Sequence, residues 1–134
     1  MKGILLISHG AMAEGVKETT EIFFGKNIEQ FAALGLQESE SAESFRERLF
    51  STVAELDKGD GVWVFADLFG GTPCNQCAFL DSKQCHVIAG MNLPMVMESL
   101  ACRQTEADFS ELLQKFKESI VDFTALIETK KKRR

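Results

Sequence analysis

The stretch Ile4-Leu5-Leu6-Ile7 is wholly apolar and runs directly into the polar pair Ser8-His9. A short apolar run of this kind is typical of a strand that is buried on both faces, as in a parallel sheet. Two further runs, Val62–Ala66 and residues 87–89, are rich in β-branched or aromatic residues, and Phe31–Leu36 is a weaker candidate. The sequence therefore predicts three or four strands of a buried sheet.

Segments between these runs repeat their apolar residues at steps of three or four, the spacing of an amphipathic helix. Capping residues mark the ends of four predicted helices. The first would end at Gly25, the second would begin at Ser41, the third would begin with Thr72 as its cap and Pro73, and one long last helix would run from Asp108 to Ile127. This alternation predicts an α/β fold, a doubly wound, mostly parallel open sheet of four to five strands with helices on both faces.

The charge balance is acidic apart from the C-terminal end. The chain has 134 residues, of which 45% are hydrophobic and 26% charged, as expected for one globular domain. Five of the 15 basic residues form the terminal run 130–134, so the other ten face 20 acidic residues. Such a body disfavours non-specific binding to nucleic acid, which needs clustered Lys and Arg. We predict one domain over residues 1–129 and a basic, solvated tail over residues 130–134.

The sequence also predicts a compartment. No stretch approaches the ~20 apolar residues of a membrane span. The apolar residues before Ser8 are too few for a signal peptide. A cytoplasmic protein is therefore predicted, and its cysteines are expected to be reduced thiols. They are Cys74, Cys77, Cys85 and Cys102.

Two titratable side chains follow predicted strands. Ligands of open parallel sheets bind beyond the carboxyl ends of the strands, where His9 and Asp67 are expected. Imidazole is the one side chain whose unperturbed pKa, ~6.5, lies in the physiological range, so His9 is a candidate nucleophile or acid/base group. Asp67 could accept a hydrogen bond from one ring nitrogen and fix the tautomer, or it could be a loop carboxylate without a catalytic role.

Backbone groups near these side chains could hold an anion. Gly10 after His9 would place the unpaired N–H groups of a helix start beside the imidazole, and helix starts bind phosphate. The pair Gly70-Gly71 is a tight turn whose lack of Cβ atoms would let N–H groups approach an anion, and Thr72 could add its hydroxyl. Neither a nucleotide-binding P-loop pattern nor a dinucleotide fingerprint is present, so neither ligand class is predicted.

Three segments carry a resemblance to a known family. They are residues 3–10, residues 67–73 followed by Asn75, and residues 90–94 with Glu98. In order and spacing the chain resembles the mannose-family EIIA domain of the bacterial phosphoenolpyruvate-dependent sugar phosphotransferase system (PTS). The resemblance extends from about Gly3 to Ile127.

This resemblance implies a phosphocarrier domain. His9 would take a phosphoryl group from the phosphohistidine of HPr and pass it to a histidine or cysteine of an EIIB partner. EIIB would then phosphorylate a sugar that enters through the membrane EIIC/EIID complex. Asp67 would orient His9, and Thr72 would lie near the phosphoryl group. The resemblance implies a homodimer and requires no metal, nucleotide or other cofactor.

Other readings remain open from the sequence. A relative of the same class serves dihydroxyacetone phosphorylation, and a non-catalytic regulatory module could bind a small anion through Asp67 and the Gly-Gly turn. Cys74 and Cys77 have the spacing of a redox motif. With Cys85-His86 they form a conceivable zinc set. Packed helix cysteines are the simpler interpretation.

Overall fold

A computed structural model describes residues 1–106 and 108–132. Its strands are β1 (Gly3–His9), β2 (Phe31–Leu36), β3 (Val62–Ala66) and β4 (Cys85–Ala89). Its helices are α1 (Met12–Phe24), α2 (Ala42–Leu56), α3 (Thr72–Gln76, continued by a 3₁₀ turn over Cys77–Phe79), α4 (Leu93–Cys102), α5 (Phe109–Glu118) and α6 (Phe123–Lys132).

The strands of the described chain form one parallel sheet in the order β2-β1-β3-β4. Leu6, for example, lies opposite Ala33 of β2 and Phe65 of β3. β2 lies on one side of β1, whereas β3 and β4 lie on the other side. The direction in which successive strands are added therefore reverses between β1 and β3. Ligand crevices form at such reversal points. His9 ends β1 and Asp67 directly follows β3, so both residues lie at this point.

Hydrophobic side chains on the two faces of the sheet form two cores. Alternate residues of a strand point to opposite faces, so Ile4 and Leu6 pack with α1, α4 and α5, whereas Leu5 and Ile7 pack with α2 and α3. All four side chains of this run are fully buried. Full burial of one such side chain contributes about 1.5–3 kcal/mol. The α/β class with helices on both faces is confirmed, and β1 holds its end, with His9, in a fixed place.

The segment after β4 differs from its prediction. Instead of one long helix from Asp108 to Ile127, the structure has two helices, α5 and α6, and a further helix, α4, precedes them after β4. Asp108 does cap α5, but this helix stops where Ser119 donates its N–H and its hydroxyl to the carbonyl of Phe116. Asp122 then accepts the N–H of Ala125 and begins α6. The predicted single helix was wrong because local side-chain bonds end one helix and begin another within a continuous apolar pattern.

The start of α3 also differs from its prediction. Thr72 is the first residue of the helix rather than its cap, and Gly71 occupies the cap position without a side-chain bond. Gly71 takes this place because its carbonyl accepts the N–H of Asn75, the first bond of the helical turn. Pro73, without an N–H, fits the open start of the helix. The predicted caps Ser41 and Gly25 are confirmed.

The C-terminal helix carries most of the predicted basic tail. Lys130, Lys131 and Lys132 are the last residues of α6, with exposed side chains. Arg133 and Arg134 lie outside the described residues. Within the described ranges, no helix has both the length and the apolar content that crossing a bilayer demands.

Candidate functional site

His9 and Asp67 form a hydrogen-bonded pair at the carboxyl end of the sheet. The ring nitrogen Nδ1 of His9 lies 2.8 Å from Oδ2 of Asp67, and the backbone N–H of His9 donates to the same oxygen at 3.0 Å. Oδ1 accepts the N–H of Leu68 at 2.9 Å. The Asp67 side chain is only 8% exposed, whereas that of His9 is 47% exposed. A nearly buried carboxylate therefore holds an imidazole that faces solvent.

The surroundings of Asp67 keep it ionised. Burial by itself would raise its pKa, but the hydrogen bonds from the His9 backbone, the His9 ring and the Leu68 backbone outweigh burial and hold the pKa below its ordinary value. An ionised carboxylate only accepts hydrogen bonds, so the proton in the His9–Asp67 bond belongs to Nδ1. Nε2 of the neutral ring then carries the free lone pair.

Gly71 lies next to the Cε1 and Nε2 atoms of the His9 ring. A Cβ atom built on Gly71 would lie 2.4 Å from Cε1 of His9 and 3.1 Å from Nε2. No real Cβ atom approaches ring atoms this closely, so only glycine leaves room for the imidazole at its observed position. The Gly70–Gly71 turn thus forms a wall beside Nε2, and Gly70 has a φ of +93° that favours glycine.

The role of Gly10 in the structure differs from its predicted role in anion binding. Its N–H already donates to the carbonyl of Leu36 at 2.9 Å, so this donor continues the β1–β2 pairing. With a φ of +54°, Gly10 turns the chain away from the sheet toward α1. A Cβ on Gly35 would lie 2.0 Å from the Gly10 carbonyl oxygen, so β2 backs this turn closely. Gly10 therefore fixes the exit of the chain after His9.

Ser8 ties the start of α1 to the site. Its buried hydroxyl accepts the N–H of Ala13, the second residue of α1, at 2.8 Å. This bond satisfies one of the N–H groups that a helix start leaves unpaired. The first turn of α1 is thereby fixed to the residue that precedes His9.

Two other groups of residues lie away from this pair. A cleft of about 620 Å³ at the opposite end of the sheet is lined by residues that include Lys2, Gln30 and Arg103. His86 also lies toward that end and stacks on Phe109, with ring centroids 3.6 Å apart. Neither group approaches His9. The His9 side chain is 47% exposed, so the candidate site around it is open to solvent.

Two of the four cysteines, Cys77 and Cys85, lack the accessible, acidic thiol of a redox or zinc centre. Cys77 is buried, its thiol donates weakly to the carbonyl of Pro73, and burial is the main cause that raises its pKa to about 12. Burial likewise raises the pKa of Cys85 to about 11. Thiols of this kind are poor nucleophiles and poor metal ligands at neutral pH. Over residues 1–106 and 108–132, no cluster of three His, Cys, Asp or Glu side chains could hold a metal ion.

Comparison with known protein families agrees with this geometry. Residues 3–117 match the model of the EIIA-man family, which is described as the PTS system fructose IIA component. The chain belongs to this family. The matched region includes His9, Asp67 and the Gly-Gly turn, and it ends just before the end of α5.

Individual relatives are PTS components. The chain is 33% identical over 112 residues to the mannose-specific EIIAB component of Escherichia coli, a match that covers 82% of this chain and 34% of that protein. The chain thus spans about a third of the length of these EIIAB relatives. It is 32% identical over 120 residues to the sorbose-specific EIIA component of Lacticaseibacillus casei, covering 86% of this chain and 85% of that one.

A solved structure has the same fold. The PTS IIA protein associated with the fucose utilization operon of Streptococcus pneumoniae superposes with a TM-score of 0.87 at 28% identity. The match covers 94% of this EIIA chain and 96% of the other. The resemblance inferred from the sequence and the predicted fold class are both confirmed.

Some contributors to the site were not singled out by sequence reasoning. Ser8, Gly35 and Asn75 act through contacts with residues that are close in space, and those contacts depend on the pairing of the strands. Asn75 was noted only as part of a motif. The sequence did contain one signal, because an Asn five residues after the first glycine of a turn can reach back to that turn.

Proposed function

We propose that this EIIA chain is a histidine phosphocarrier of PEP-dependent sugar uptake. His9 accepts a phosphoryl group from phospho-HPr and passes it to an EIIB partner in the cytoplasm. The observation that carries this proposal is the bond between Nδ1 of His9 and the ionised Asp67. In the neutral ring this bond assigns the proton to Nδ1, so Nε2 carries the lone pair that attacks phosphorus, on a side chain that is 47% exposed.

The transfer step needs little more than position and charge. The Nε2 lone pair attacks the phosphorus atom of the donor phosphohistidine, the N–P bond of the donor breaks, and its electron pair returns to the donor ring. Positive charge that develops on the His9 ring is stabilised through Nδ1 by Asp67. The new bond between Nε2 of His9 and phosphorus later breaks when EIIB receives the group. No nucleotide or metal enters either step.

The Gly70–Thr72 turn is the proposed cradle of the phosphoryl oxygens. It borders Nε2, and its backbone can approach an anion because the two glycines lack side chains. We assign phosphoryl contacts to Gly70, Gly71 and the Thr72 backbone or hydroxyl, and a conformational role to Gly10. The membrane components EIIC and EIID would then take part only indirectly, through EIIB.

The decisive experiment is phosphorylation of the purified chain. With phosphoenolpyruvate, enzyme I and HPr, we expect an acid-labile phosphoryl adduct on His9, detected by intact-mass measurement and peptide mapping at neutral pH. His9→Ala should abolish it. His86→Phe, which replaces the other histidine and retains an aromatic stack on Phe109, should leave it unchanged.

Three results separate the alternatives. A chain that binds inorganic phosphate without forming the adduct would be a non-covalent anion-binding module, and the phosphocarrier proposal would fail. An adduct that persists in His9→Ala would place the chemistry elsewhere. Loss of the adduct in His86→Phe, in a chain that still unfolds cooperatively, would contradict the assignment of His9 alone.

The chain is further proposed to form a homodimer. The segment after α5 leaves Ile120 81% exposed, with Val121 and Phe123 also largely exposed. None of the residues of α6, all of which are described, is buried. Large apolar side chains that are exposed together in one short segment of a folded chain favour an interaction site there.

Sedimentation equilibrium at micromolar concentration tests the dimer. We expect the wild-type chain to sediment as a dimer and the double variant Ile120→Ser/Phe123→Ser as a folded monomer. Ile22→Ser is the matched control, because Ile22 is 78% exposed but lies on α1. A monomeric wild-type chain, or a double variant that remains dimeric, would refute this surface.

A further inference from the structure

The loop from Leu68 to Gly71 has little packing of its own. Phe69 is 89% exposed and Leu68 is about half exposed. No atom outside the adjacent residues lies within 4 Å of the point where Gly70 would carry a Cβ. Gly71 differs, because a Cβ on it would press against the His9 ring and the Leu68 side chain. Hydrogen bonds therefore determine the conformation of this loop.

Side chains hold the loop at both ends. At its start, Oδ1 of Asp67 accepts the N–H of Leu68. At its far end, the side-chain amide Nδ2 of Asn75 donates to the carbonyl of Gly70 at 3.1 Å, and the Asn75 backbone N–H donates to that of Gly71 at 2.9 Å. Asn75 thus binds both glycine carbonyls and turns their peptide groups in a defined direction.

The direction of these peptide groups matters at Nε2. When a carbonyl is held toward Asn75, the N–H of the next residue in the same planar peptide group points the opposite way. The N–H groups concerned belong to Gly71 and Thr72, which follow Gly70 and Gly71. The Asn75 side chain and backbone thereby fix the orientation of two donors in the wall beside His9.

We propose that Asn75 is a positioning residue for phosphoryl transfer, acting through the Gly70–Gly71 turn rather than by contact with the phosphoryl group. This inference rests on the proposed phosphocarrier function. Asn75→Ala removes the bond to Gly70 and retains the backbone bond to Gly71. Phosphorylated His9 should then lose well-directed donors, so the transfer equilibrium shifts back toward phospho-HPr.

Two measurements on Asn75→Ala test the inference. The amide resonances of Gly71 and Thr72 and the Cε1 proton of His9 should shift in NMR spectra of the unphosphorylated chain. The equilibrium constant for transfer from phospho-HPr to His9 should fall about tenfold, the effect of losing one hydrogen bond to a charged network. The KM for phospho-HPr should stay within about twofold, since no docking contact is removed.

Asp108→Ala is the matched control. Asp108 likewise bonds locally through its side chain, since its Oδ1 accepts the backbone N–H and the hydroxyl of Ser110. It caps α5 beside Phe109, which stacks on His86 toward the opposite end of the sheet. It should lower stability without changing the transfer equilibrium. If Asn75→Ala folds poorly, Asn75→Leu serves in its place, because it keeps a side chain of similar size and removes the donor without adding a charge.

The outcomes separate the two claims. A wild-type chain that takes up no phosphoryl group overturns the proposed function and the role of Asn75 with it. A wild-type chain that is phosphorylated, together with an Asn75→Ala chain of equal transfer equilibrium, overturns the role of Asn75 alone. An Asp108→Ala chain with the same shift would reduce the effect of Asn75→Ala to a loss of stability and would equally overturn it.

Discussion

Asp67→Asn is expected to slow phosphoryl uptake at His9 by about 10³-fold, because the carboxylate that orients a catalytic histidine can contribute up to about 10⁴-fold to the rate. Three donors converge on this carboxylate, namely the His9 backbone, the His9 ring and the Leu68 backbone. An Asn side chain has one acceptor oxygen and one donor nitrogen, so it cannot satisfy all three.

Each orientation of the amide at position 67 fails in its own way. With its oxygen toward His9, the NH₂ group opposes the Leu68 N–H and the loop is pushed away. With its nitrogen toward His9, Nδ1 must become the acceptor, the proton moves to Nε2, and the nucleophilic lone pair is lost. In both orientations the negative charge that stabilises the phosphorylated ring is missing.

The measurement is the initial rate of phosphorylation by phospho-HPr, followed by intact-mass measurement. Asp57→Asn is the control, because Asp57 likewise accepts several hydrogen bonds, from Gly59, Gly61 and Gln84, in a loop away from His9. It should retain the wild-type rate. An Asp67→Asn chain within about tenfold of wild type would refute the orienting role.

The pKa of Asp67 adds a pH dependence with a definite sign. A carboxyl whose pKa is lowered by folding contributes stability above its unfolded pKa, near 3.9, and loses it as the pH falls through the lower folded value. The carboxylate therefore remains charged throughout the neutral and mildly acidic range. If the phosphorylation rate falls between pH 8 and pH 5, the titration of a group other than Asp67 must cause that fall.

The features that the sequence predicted correctly depend on local patterns. The side chains of residues 4–7 are all apolar, so they leave water only if both faces of the strand are buried. The strand ends shortly after this run, which places His9 at the carboxyl edge of the sheet. The run that ends before Asp67 gives the same result for β3. Because parallel strands share one edge, the proximity of His9 and Asp67 could be predicted before any coordinate was known.

What the sequence left unresolved depends on contacts between distant residues. Gly10 was expected to border the phosphoryl group together with the N–H groups of the following helix start. Because β2 lies beside β1, however, the N–H of Gly10 itself donates to the Leu36 carbonyl. The break between α5 and α6 comes from Ser119 and Asp122, whose side chains bond to nearby backbone in a segment that keeps an apolar period. Neither the bond of the Gly10 N–H nor the break between α5 and α6 could be predicted from composition and periodicity.

The close approach of Gly71 to His9 is a further contact of this kind, and it leads to the second large effect. Gly71→Ala is expected to slow phosphorylation by about 10²-fold, because the new Cβ would overlap Cε1 of His9 and either the ring or the turn must move. A displacement of about 1 Å at a reacting atom is enough for such a loss. The shift of the ring or the turn that accommodates the new Cβ should also lower the free energy of unfolding by about 1–3 kcal/mol.

Two readouts separate displacement of the ring from impaired docking. Phosphoramidate, a small phosphoryl donor, should react with His9 of the Gly71→Ala chain as slowly, relative to wild type, as phospho-HPr does. Gly15→Ala is the control: its Cβ would meet no atom within 4 Å, and alanine favours the interior of α1 by up to about 1 kcal/mol. If Gly71→Ala reacts with both donors at the wild-type rate, the turn is not the wall beside Nε2, and the phosphoryl cradle must be sought elsewhere.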